Sequence, residues 1–134
     1  MPPDAASQPA GIARLALGAM FIYQGLLPKI LLTSPTELRL VEASGLGLPA
    51  ELIVPLAGVG EILLGLLILF RRAGLWPVYL AAAALVGLVF YVAVVMPGLL
   101  AEAFNPVTTN LLALALCYVI VWLEAQASRG VTPV

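Results

Sequence analysis

A single carboxylate, Glu61, interrupts an apolar run at residues 52–70, LIVPLAGVGEILLGLLILF. As a helix this run would rise about 28 Å, close to the hydrocarbon thickness of a bilayer. A charge held at that depth costs at least ~2.5–3.5 kcal/mol. Glu61 must therefore face other helices, find a partner, or carry a proton. Ala57, Gly58 and Gly65 share its helical stripe, and small residues let a second helix approach closely in a membrane. Glu61 is thus expected to point into a bundle. Two readings stand side by side: a carboxyl group that handles a proton or a ligand, and one that only hydrogen-bonds helices together.

Gln24, Lys29, Tyr91, Asn105 and Asn110 are the other candidates. At ~1.5 Å per helical residue, Gln24 falls just past mid-membrane and Lys29 further along, while Tyr91, Asn105 and Asn110 fall in that same half. The six residues are expected to converge on one small polar cavity. Lys29 could lean toward Glu61 as a buried ion pair. Alternatively, Glu61 could exchange a proton while Gln24, Asn110 or Tyr91 hydrogen-bonds a carbonyl, an arrangement suited to a quinone headgroup. Simpler roles compete: snorkelling for Lys29, an interhelical hydrogen bond for Asn110, and the N-cap of a helix for Asn105, ahead of Pro106.

The elements that must position these residues follow from hydropathy. Residues 1–9 read as a disordered leader. A membrane domain covers 10–124, with spans at 10–32, 52–70, 75–96 and 105–123, and a polar tail covers 125–134. The expected fold is all-α: four transmembrane helices in an antiparallel bundle. Gly11, Arg14, Gly18, Gly25 and Lys29 recur on one side of the first span. Pro28 removes a backbone hydrogen bond there, frees the Gln24 carbonyl and predicts a kink. Between the first two spans, Ser34, Pro35 and Glu37 form a helix-start signal. The predicted product is a short interfacial helix ended by Gly45 or Gly47.

The composition needs lipid as its solvent. Of 134 residues, 63% are hydrophobic and only 10% charged, against about a quarter charged in soluble domains. Mean hydropathy is +1.11. A net charge of −1 gives no reason to expect a nucleic-acid partner. Without histidine the usual haem ligand and the commonest zinc ligand are missing, and no metal site is expected. Cys117, the one cysteine, sits in an apolar run and reads as a small core residue. The first nine residues lack the basic start of a cleavable signal, so the first span is expected to act as an uncleaved one. Four spans put both termini on one side, with Arg71, Arg72 and Arg129, and Arg14 just inside it. That bias predicts cytoplasmic termini in the cell inner membrane, with Arg14 and the Arg71–Arg72 pair serving topology and lipid headgroups.

Gly25-Leu26-Leu27-Pro28-Lys29, Gly60-Glu61-Ile62, and Phe104-Asn105-Pro106-Val107 with Asn110 resemble the DoxX-like family of small membrane proteins. The resemblance runs from about Arg14 to Leu123, carried more by order and spacing than by any one motif. It implies a four-helix membrane bundle. It also implies kinship with small subunits of quinone-linked oxidation, such as thiosulfate:quinone oxidoreductase, with partners of soluble redox enzymes, and with eukaryotic relatives that assist receptor assembly or cargo export. Some such domains are fused to a dinucleotide-binding reductase-like domain; this sequence has no G-x-G-x-x-G after a strand. The first expectation is therefore a membrane subunit or anchor of a quinone-linked redox system. Quinone is its candidate cofactor, with nothing bound covalently, and a soluble oxidoreductase its candidate partner. Whether it is itself an enzyme or a non-catalytic subunit stays open, as does a homo-oligomer. A non-enzymatic membrane scaffold or assembly factor is the alternative, and a small-solute transporter the third reading.

Overall fold

The computed structural model describes residues 3–129, which are helical almost throughout, with no strand among them. Helix α1 spans Pro3–Gly25 and passes directly into a π-helical turn, Leu26–Leu31. A short helix α2 follows at Pro35–Glu42, then α3 at Ala50–Leu69, α4 at Trp76–Val95 and α5 at Pro106–Arg129. Among the described residues, four stretches are long and apolar enough to cross a membrane: Ser7–Leu31, Ala50–Leu69, Trp76–Val95 and Pro106–Arg129. Together with the composition they make the chain an integral membrane protein.

Two boundaries differ from expectation. The supposed leader at 1–9 is helical from Pro3 onward, and residues 1–2 lie outside the described residues. Proline suits a first helical position because its missing N–H would have had no partner there. Ala10 then packs against Leu123 of α5. At the other end α5 continues through 125–129 of the supposed tail, while 130–134 lie outside the described residues.

Glycine brings α1 and α3 together. A Cβ built on Gly65 would lie 2.6 Å from the Gly18 carbonyl oxygen, and one on Gly58 would lie 2.6 Å from the Gly25 carbonyl oxygen. No larger residue fits at such backbone contacts. Gly18 faces Gly65 and Gly25 faces Gly58, so α1 and α3 run in opposite directions with the two glycine pairs two turns apart. Gly11, expected on the same stripe, has open space beside it.

The packing order is α3, α1, α5, α4: α1 lies along α3 and α5, and α5 lies along α4. Leu17, Phe21, Ile68, Val78, Leu85 and Ile120 fill the centre, and Cys117 is buried among them. Helices α3 and α4 touch only sparsely, although a short connection joins them. One seam of the bundle is therefore open.

Candidate functional site

Lys29 is the hinge of the candidate site. It sits in the π-turn that also contains Pro28. Proline lacks an N–H and its ring crowds the carbonyl four residues back, so the α-ladder fails there. The wider turn restores bonding at longer spacing, with the Leu32 N–H donating to the Leu27 carbonyl at 2.9 Å. Such π-turns are short and frequently mark functional positions.

Of the two fates open to Lys29 in the sequence, snorkelling is not the one observed: the residue is only 7% exposed. Its ammonium donates to Glu37 Oε1 at 2.9 Å and lies 3.1 Å from Glu61 Oε1. The stem passes over Gly58, where a Cβ would fall 2.9 Å from that of Lys29. An ammonium has three N–H donors, and two carboxylates account for two of them. Glu61 Oε2 is buried and has no hydrogen-bond partner among the described residues.

Glu37 was not among the candidates, although it belonged to the helix-start signal. Helix α2 does begin at Pro35, but Ser34 makes no side-chain cap. Glu37 reaches Lys29 instead of closing a capping box. The useful signal was charge opposition across a chain reversal, which spacing along one helix does not display.

These groups line a cavity of about 830 Å³ shared by all five helices. Gln24, Lys29, Glu61, Tyr91, Asn105 and Asn110 all contribute to its wall. Their partners differ. The Tyr91 hydroxyl donates to the Leu40 carbonyl and ties α4 to α2. Asn110, 6% exposed, donates to the Leu85 carbonyl at a long 3.4 Å. Asn105 caps α5: its side-chain oxygen accepts the Thr108 N–H at 3.0 Å, and its amide donates to the Glu102 carbonyl at 2.9 Å. Met20, Phe21, Leu64, Leu80, Leu85 and Leu88 make the rest of the wall largely apolar.

A second buried charge lies away from this cavity. Arg14 was expected to serve lipid headgroups, yet it is 1% exposed. Its guanidinium bonds Glu124 of α5 and the carbonyls of Ile68 and Gly74, each at 2.8 Å for the carbonyls. The Ile68 carbonyl belongs to the last turn of α3, where helical partners run out. Gly74 adopts φ +77°, a conformation that favours glycine and turns its carbonyl toward Arg14. Arg71 and Arg72 remain exposed. Glu124 was missed because it lay just past the expected end of the last span.

A sequence model described as the DoxX-like family matches residues 18–118, well over half of the chain. The chain belongs to the DoxX-like family. The match includes Lys29, Glu61, Tyr91, Asn105 and Asn110, and ends before Glu124. Neither the curated proteins nor the solved structures give a match. The four apolar helices make this DoxX-like protein a membrane protein, while its chemistry has to be argued from the cavity.

Proposed function

We propose that this DoxX-like protein is a membrane subunit of a quinone-linked redox system, holding a quinone headgroup in the cavity beside Lys29 and Glu61. Its termini lie on the cytoplasmic side of the inner membrane, and a soluble oxidoreductase is its partner. One observation carries the reading: the wall of a mostly apolar cavity brings Lys29 and Glu61 together with Gln24, Tyr91 and Asn110. A quinone carbonyl only accepts, and Lys29, Gln24 and Asn110 have N–H donors for it; a quinol hydroxyl donates, and the Glu61 carboxylate can accept from it.

The donor set fits an uncharged, carbonyl-bearing ring. The third N–H of Lys29 can donate to a carbonyl, and the Tyr91 hydroxyl oxygen remains free to accept. The Glu61 carboxylate can take up or return a proton. An anionic headgroup fits poorly, because Glu37 and Glu61 already surround Lys29 and Glu102 also lines the cavity. A bound quinone would supply two-electron, two-proton exchange in the lipid phase, chemistry that no side chain here provides. Gly18, Gly25, Gly58 and Gly65 are taken up by the α1–α3 contact, so these four offer no free face to a scaffold partner.

The test is native mass spectrometry of the full chain extracted gently from its own membranes, with thermal melts in nanodiscs. A co-purifying quinone that is lost in Glu61→Gln, and a melting temperature raised by decylubiquinone, are the expected results. No quinone, together with stabilisation only by decyltrimethylammonium, would replace the redox reading with a cation-binding one.

A further inference from the structure

The cavity is not evenly polar. Lys29, Glu37, Glu61, Tyr91 and Asn105 cluster at one end, whereas Met20, Phe21, Leu64 and Leu80 line the other. Along α4 the wall extends from Leu80 to Val92, about 18 Å at ~1.5 Å per residue. The cavity is therefore a trough with a polar head and an apolar run.

Its side is open where α3 and α4 diverge. Ala57 and Gly60 on α3, and Ala84 and Gly87 on α4, line the cavity and are also exposed. A Cβ on Gly60 or Gly87 would meet nothing within 4 Å. Both helices belong to spans, so at this level the opening faces acyl chains rather than water.

We propose that the ligand is an amphiphile that enters sideways from the bilayer, through the seam between α3 and α4, with an uncharged head at Lys29 and Glu61 and its tail along the apolar run. The proposal rests on the cavity being a ligand site, as argued above, but not on the head being a quinone. Lateral access suits such a molecule because its tail need never leave the hydrocarbon. Glycine at 60 and 87 keeps both lips of the seam low.

The experiment places an indole on the back wall of the full chain. Phe21→Trp is made in a background carrying Trp76→Phe and Trp122→Phe, and reconstituted in phosphatidylcholine vesicles with or without bromine on the acyl chains. The expected result is strong quenching by the brominated lipid and little by aqueous iodide. Filling the seam with Gly60→Leu and Gly87→Leu should restore the fluorescence. Quenching by iodide as strong as that by brominated lipid, or no lipid quenching at all, would overturn the proposal. If Phe21→Trp does not fold, Met20→Trp on the same wall gives the same readout. Decylubiquinone, itself a quencher of indole, then separates the two ideas through the ratio of fluorescence in brominated to unbrominated vesicles: a ratio that rises toward one supports both, while an unchanged ratio leaves lateral access standing and counts against the quinone head.

Discussion

The side chains of Arg14 and Glu124 meet fork to fork, with Nε 2.6 Å from Oε1 and Nη2 2.9 Å from Oε2, and join the first spanning helix to the last. The guanidinium does more than neutralise a charge, because it also binds the carbonyls of Ile68 and Gly74. Four elements are gathered on one planar group, a task suited to arginine's rigid array of donors.

Exchanging the two residues should not preserve stability. Arg14→Glu with Glu124→Arg keeps the pair but removes the donors that Ile68 and Gly74 require. Arg14→Ala should cost on the order of 3–5 kcal/mol, as expected when one partner of a buried ion pair is removed. We expect the exchanged variant to recover little of that loss in reversible unfolding in mixed detergent micelles. Full recovery would show that the charge pair alone matters.

Lys29, Glu37 and Glu61 should behave as one unit. Lys29→Met leaves two carboxylates facing each other without their cation and should destabilise more than Glu61→Gln. Combining the two should recover part of the loss, giving a coupling of roughly 0.5–3 kcal/mol in a double-mutant cycle. Additive effects would mean that the ammonium and Glu61 do not interact in the membrane.

Neighbouring glycines should respond in opposite ways. Gly58→Val drives a side chain into the Gly25 carbonyl and the stem of Lys29, so loss of folded protein is expected on size-exclusion chromatography. Gly60→Val enters open space and should leave the elution profile unchanged. Equal damage at both positions would argue against the α1–α3 contact.

Asn105 lines the cavity and caps α5, and substitution can separate the two roles. Asn105→Asp keeps a capping oxygen, whereas Asn105→Ala should cost about 1 kcal/mol of helix stability. Hydrogen exchange at the first amides of α5 should speed up in Asn105→Ala alone. Faster exchange in both variants would assign the amide group, rather than the cap, the larger part.

The spans were legible because long apolar runs with few charges have one stable destination, and their limits shifted only where residues near the membrane surface extend a helix. The candidate residues were legible for a related reason: polar groups inside such runs are few, and counting residues approximates their depth. Depth does not reveal which helix stands opposite. Arg14 was assigned to headgroups because nothing along the chain placed Glu124 beside it, 110 positions later. Lys29 was left between two fates because its outcome depends on the turn at Pro28 and on the position of α2. The same small-residue pattern that correctly marked Gly18, Gly25, Gly58 and Gly65 also marked Gly11, since spacing cannot say where a contact ends.

The π-turn at Leu26–Leu31 is equivalent to a helix that has absorbed one inserted residue. Each residue of an α-helix advances the azimuth by about 100°. Shortening this turn by one residue would return it to regular α-helix and swing Lys29 off Glu61 toward the lipid or the neighbouring helix. The alignment of a buried cation with its two carboxylates is thus set by chain length as well as by residue type. Among relatives, a one-residue length change before Lys29 would carry more meaning than many substitutions, because it would rewrite which way the ammonium points while leaving every chemical group in place.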